Sequence, residues 1–348
     1  MNLELMNPEL IYPYGEAQVT GVIKNQAEDF RVDENLGFNA SGDGEHLLIQ
    51  VEKTGLTTVE LIDYVARDFD IKPHDVGYSG LKDKLAVTRQ WLSLHLPGRM
   101  NSLEIPTSTK YRLLEHSWHN RKLRPGAHRS NSFQVVVRDV GDYPAATQSQ
   151  IDQISISGFA NYFGEQRFGR GQDNVAQALH HFTNARRSRK LSRTRRSLYL
   201  SALRSFLFNR VLSRRIESGY WAKPVSGDVF MLAGSHSIFY EAISADIIQR
   251  YQQLDLSSTV SLYGSGSRLL ELEAAELEDQ VIASYPDIAQ CLLDQGAKLQ
   301  MRNTRALVED FEVDYDQSEN MMMIKATLPA GCYFTTLLNH FVDTSLHR

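Results

Sequence analysis

Strand-like patterning occurs at both ends of this 348-residue chain, with helical periodicity between, and that arrangement limits the architectures open to it. Residues 20–34 read as strand, turn and strand, and a Gly- and Asp-rich turn at 36–46 feeds a strand at 47–53. Residues 88–96 set Trp91, Ser93 and His95 against Leu92, Leu94 and Leu96, and 133–138 carries a β-branched run. Between these strands, Thr57 and Glu60 form a capping-box pair, and Ile62, Val65, Ala66 and Phe69 share one face, which predicts a helix over 58–69. From Gly158 the chain becomes rich in Arg, Phe and Tyr, with helices predicted over 198–216 and 268–282. After Asn303 strands return at 311–315 and 321–328, and a helix over 335–342 closes the chain. The pattern predicts an α+β (mixed α/β) fold. Its sheet domain is built from both termini, 1–157 plus 304–348, with 158–303 inserted between them. At roughly 150 residues per domain the length suits two cores.

Charge is divided as unevenly as the periodicity. The formal net charge is −5, yet residues 110–215 hold 20 Lys and Arg against 6 Asp and Glu, a net +14. Residues 271–319 hold 3 against 13, a net −10. Such asymmetry points to a polyanion-binding surface. Only two cysteines occur, Cys291 and Cys332, which excludes a disulfide scaffold and a Cys-rich zinc module; both read as small buried hydrophobes. No apolar run approaches the ~20 residues that cross a bilayer, and the N-terminus carries an acid where a signal peptide would be basic. The expected location is cytoplasmic.

The densest chemical constellation is Gly77–Trp91, GYSGLKDKLAVTRQW, where Asp83 stands between Lys82 and Lys84 in a glycine-containing turn. Neighbouring cations favour a carboxylate, which suits a nucleophile better than a general acid. By spacing alone the segment is more simply a solvated hairpin turn. The run Ala185–Arg196 has seven cations in twelve residues and no acid; charge runs are usually solvated faces, but the missing counter-charge favours nucleic acid. A second cluster, Arg121, Lys122, Arg124 and Arg129, is flanked by His116, His119 and His128. Aromatics interleave the cations: Tyr162, Phe163 and Phe168 surround Arg167 and Arg170, while Phe30, Phe133 and Tyr333 lie elsewhere. Exposed rings stack on unpaired bases, although most single Phe residues are core. No P-loop, dinucleotide glycine motif or nucleophile elbow occurs. The histidine pairs lack the partners of a zinc site.

At GLKDKLAVTRQW the chain resembles the tRNA pseudouridine synthase D (TruD) family. The resemblance runs through Lys24, Glu28–Glu34, Gly42–His46, Gly80–Lys84, Ala86–Thr88 and Arg121–Arg124. It continues in Asn131–Phe133, Asn161–Gly164, Gln166–Gly169 and Leu328–Gly331, and is weakest over 216–310. It implies a pseudouridine synthase catalytic domain with a mixed, mostly antiparallel sheet, interrupted by an inserted α/β TRUD domain. The implied reaction isomerises uridine, uridine 13 in this family, to pseudouridine in tRNA, with base flipping. No cofactor, metal or membrane is expected, tRNA is the expected partner, and the expected state is a monomer. Asp83 matches the family's catalytic aspartate, acting as nucleophile towards ribose or base or by abstracting a ribose proton. By resemblance Phe30, Asn131 and Tyr333 contact the target nucleoside, where Tyr333 replaces a residue that is commonly Phe. Lys24 is expected beside the nucleophile or a phosphate, with Phe133 in the same site. Arg121, Lys122, Arg124, Arg167, Arg186, Arg187, Arg189 and Lys190 are the expected RNA contacts. Two other readings stay open: a non-catalytic RNA-binding or RNA-folding protein, and a synthase acting on another RNA.

Overall fold

The structure, a computed structural model, describes residues 10–235 and 237–344; within these spans the side chains of Arg170, Ala185 and Arg186 lie outside the described set. The chain forms two compact units, and the division falls inside the helix Ala145–Ser157. One unit comprises Gln18–Ile151, Val308–Gly331 and the described residues from Val342; the other comprises Asp152–Leu307, Cys332–Phe341 and the described residues up to Ala17.

The first unit is a nine-stranded sheet. Its strands are β1 (Val22–Ile23), β2 (Phe30–Asn35), β3 (His46–Thr54), β4 (Val76–Tyr78), β5 (Val87–His95), β6 (Arg112–His119), β7 (Ser130–Arg138), β8 (Glu309–Asp316) and β9 (Met321–Pro329). The order is β8-β9-β7-β2-β5-β3-β6, with β1 against β7 and β4 against β5. Only β2 and β5 pair in parallel; the remaining pairs are antiparallel. The fold class is therefore mixed α/β, with strands from both ends of the chain meeting at β7–β9.

The sheet buries one face because apolar residues recur at every second position. Leu47, Ile49 and Val51 of β3 and Leu92 and Leu94 of β5 are at most 1% exposed. The helix Thr58–Asp68 covers them with Leu61, Ile62, Val65 and Ala66. Its N-terminus is the anticipated capping box: the Thr57 hydroxyl accepts from Glu60 N (3.2 Å), and Glu60 Oε2 accepts from Thr57 N (2.7 Å). Truncating Leu61 to Ala would open a cavity costing about 2–5 kcal/mol.

The second unit centres on a helix at Arg193–Glu217, longer than the anticipated 198–216 because the Ser192 hydroxyl caps it by accepting from Arg195 N (3.3 Å). Ala202, Leu203, Phe206, Leu207, Val211 and Leu212 bury one side of it. A four-stranded antiparallel sheet in the order Ile238–Tyr240, Val229–Leu232, Leu256–Leu262, Gln300–Asn303 completes the unit, within the stretch of weakest resemblance. The buried Arg215 and Asp228 side chains form a bidentate pair that also engages Ser258.

Two anticipated helices are shorter in the structure. The 268–282 helix begins at Leu272, because Glu271 is extended and donates its N–H to Gly227 O (3.0 Å). The 335–342 helix is Phe334–Leu338, because Val342–Asp343 instead pairs in parallel with Val19–Thr20. No helix among the described residues is long and apolar enough to cross a membrane.

Candidate active site

Asp83 lies in the segment between β4 and β5, and the surrounding elements hold this segment at several points. The Lys53 ammonium donates to the Asp83 carbonyl oxygen (2.7 Å), and Lys82 N donates to the Thr58 hydroxyl (2.8 Å). The Lys82 ammonium reaches Glu34 Oε2 (2.5 Å), Lys84 reaches Glu60 Oε1 (2.9 Å), and Gly126 N donates to Ser79 O (2.7 Å). Gly80 packs closely here: a Cβ there would meet Lys82 Nζ at 3.1 Å and His128 Cε1 at 3.2 Å, so both would have to shift by a few tenths of an ångström.

The Asp83 carboxylate itself is paired with Lys24, Nζ to Oδ2 at 2.5 Å. The sequence places Lys82 and Lys84 beside Asp83, but the structure commits both to other acids and supplies the carboxylate's cation from Lys24. Lys24 adopts φ +59°, a left-handed conformation costly for a residue with a Cβ and typical of functional sites. Its ammonium also stands 4.4 Å from the centre of the Phe30 ring. Phe30 is only 3% exposed and meets Phe133 edge-on, ring centres 6.1 Å apart. Asn131 is buried opposite Glu34 in the β2–β7 ladder. Its Nδ2 donates to His128 Nε2 (3.1 Å), while its Oδ1 has no hydrogen-bond partner among the described residues. Thr88 Oγ1 and Gln90 Nε2, also buried and unpartnered among those residues, belong to the same unit.

Two charged groups escaped the sequence reading, although they left a signal. Lys53 continues the buried alternation Leu47, Ile49, Val51, and Glu34 continues Phe30, Val32. A charge in the apolar phase of a strand requires an internal partner. Burial pushes the Lys53 ammonium down to about 8, and the Asp83 charge partly opposes this. Burial likewise lowers the His128 imidazole, and Glu34 acts against that.

Of the other anticipated residues, Tyr333 and Arg167 belong to the second unit, where they meet each other. Arg167 donates to the Tyr333 hydroxyl from Nε (3.0 Å) and Nη2 (2.5 Å), and to Ser201 Oγ from Nη1 (2.9 Å). The Tyr333 ring meets Phe163 at 6.2 Å, and the Arg302 guanidinium lies 4.2 Å from the Phe163 ring centre. Arg121, Lys122 and Arg124 are exposed, with Lys122 Nζ on His74 O (2.5 Å). Arg187, Arg189 and Lys190 are exposed, Arg187 bonding to His180 Nδ1 (3.2 Å). Arg186 lies outside the described side chains. No cluster of three or more His, Cys, Asp or Glu able to hold a metal occurs among the described residues.

The whole chain has close counterparts. A family model described as tRNA pseudouridine synthase D (TruD) matches residues 9–179 and 173–341. A tRNA pseudouridine synthase D of Methylococcus capsulatus is 38% identical over 335 residues, covering 95% of this chain and 93% of that protein. Another, of Pseudomonas putida, is 38% identical over 344 residues, covering 98% and 96%. A crystal structure of a Methanosarcina mazei protein described as a TruD-type synthase superposes with a TM-score of 0.71 at 19% identity, covering 97% of both chains, and so shares the fold. The chain belongs to the tRNA pseudouridine synthase D family.

Proposed function

We propose that this chain isomerises uridine to pseudouridine in tRNA, at uridine 13, with Asp83 as nucleophile and the target nucleotide flipped out of its stack. The observation that carries the reading is the Asp83 carboxylate, held by Lys24 at 2.5 Å in a segment whose backbone Lys53 and Thr58 fix. A charge-assisted contact of this kind orients an anionic nucleophile without neutralising it by proton transfer. The isomerisation breaks the N1–C1′ bond, forms C5–C1′, and moves a proton from C5 to N1, so atoms balance without a co-substrate.

Flipping a uridine costs a few kcal/mol, which contacts to the extruded base offset. Asn131 Oδ1 is a buried acceptor suited to the uracil N3–H. Phe30 and Phe133 supply apolar wall, and Tyr333 is proposed as a stacking ring for the nucleoside. Arg121, Lys122, Arg124, Arg167, Arg187, Arg189 and Lys190, with Arg186, are proposed to meet RNA phosphates. Replacing Arg187, Arg189 and Lys190 by Ala should then flatten the salt dependence of tRNA affinity; an unchanged slope would remove that run from the interface.

The test is to incubate purified protein with unmodified tRNA, rRNA fragments and mRNA fragments and to map pseudouridine. Product at position 13 of tRNA is expected. Binding without product would favour a non-catalytic RNA-binding protein, and product only in another RNA would move the substrate.

A further inference from the structure

We infer that the helix Arg193–Glu217 carries one wall of a phosphate-ester pocket that receives a segment of RNA backbone; the RNA part of this inference rests on the proposed function. Arg193, Arg196, Ser197, Ser201 and Arg204 line a cavity of 490 Å³. Spacings of three, four, eight and eleven residues set them along one helical face. Leu200, Leu262 and Phe163 add apolar lining, and no Asp or Glu is among the lining residues.

Arg204 makes the pocket more than a charged face. Its Nη2 donates to Leu262 O (3.1 Å), Lys298 O (2.6 Å) and Gln300 Oε1 (3.2 Å), which fixes the guanidinium. Its Nε is buried and has no acceptor among the described residues. Burial lowers the Arg204 pKa, as expected for a cation drawn from water without a carboxylate partner. An anion entering the cavity would relieve that cost. Ser201 already accepts from Arg167 Nη1, which leaves its own O–H to donate. Guanidinium forks match phosphate oxygens, and cations spread along roughly 16 Å of helix suit consecutive phosphates rather than one small anion.

The test uses the full chain with Arg193→Gln and, separately, Ser197→Glu. Both positions are exposed, so the fold should survive, which the thermal midpoint checks. Binding of tRNA is measured from about 50 to 200 mM salt, with inorganic phosphate and AMP as competing probes. Each variant should weaken tRNA binding on the order of tenfold, and Arg193→Gln should reduce the salt slope by about one. Unchanged affinity and slope in both variants would overturn the inference. Loss of AMP binding in both variants with unaltered tRNA binding would overturn it too, by making this a free-nucleotide site. Because binding is read without turnover, failure of the isomerase reading shows differently, as tRNA bound by wild-type protein with no product.

Discussion

At the scale of single residues, the site depends on which cation meets which carboxylate. Asp83 stands out as a candidate through the motif that resembles a family, because by spacing alone its Gly-, Lys- and Asp-rich turn reads as a solvated hairpin. The same resemblance names Lys24 as a cation beside the nucleophile or a phosphate but leaves open which of the two it meets. Lys24 is 59 residues away in sequence and reaches Asp83 through a left-handed backbone position that no local pattern announces. Lys82 and Lys84, the neighbours in sequence, turn instead to Glu34 and Glu60. Lys24→Met should therefore lower kcat by about a hundredfold, with a much smaller change in tRNA affinity, since it removes a fixed charge beside the proposed nucleophile. An equal loss in affinity with kcat intact would instead make Lys24 a phosphate contact.

At the scale of elements, the strongest local signals survived intact. The Thr57–Glu60 capping box begins its helix where the sequence places it, and the alternation over 88–96 becomes β5. What failed was the pattern that depends on distant pairing. Strand β6 mixes His, Glu and Leu on a sheet edge and shows no clean period, and the last helix stops early where Val342 finds Val19. The second unit's sheet was equally illegible, three of its four strands being four residues or fewer. Strand β3 carries a consequence for stability. Folded Lys53 titrates at about 8 against an ordinary 10.5. Below pH 8 both folded and unfolded chains hold that proton; between about 8 and 10.5 only the unfolded chain does. Unfolding then takes up a proton, so this group's contribution to stability rises with pH, by up to about 1.4 kcal/mol per pH unit. Lys53→Met removes that component. Urea denaturation of both proteins from pH 7 to 10 should show the stability difference drifting in favour of wild type above pH 8. Parallel curves would mean that Lys53 is not perturbed in this way.

At the scale of the whole molecule, the net charge of −5 conceals the division that matters. The basic stretch supplies exposed arginines and lysines in both units, including the arginine-lined pocket, while the acidic stretch contributes the Leu272–Ala283 helix and β8. The discontinuous sheet explains why motifs at opposite ends of the chain were legible together: β7 carries Asn131 and Phe133 and pairs with β9 from the C-terminal segment. In the proposed reaction Asp83 performs the isomerisation. The most direct measurement is pseudouridine formation in unmodified tRNA by wild-type and Asp83→Asn protein, with tRNA binding followed in parallel. Asp83→Asn should bind tRNA within about threefold of wild type and lose at least about a thousandfold in rate. Turnover by Asp83→Asn at the wild-type rate would remove Asp83 from the reaction.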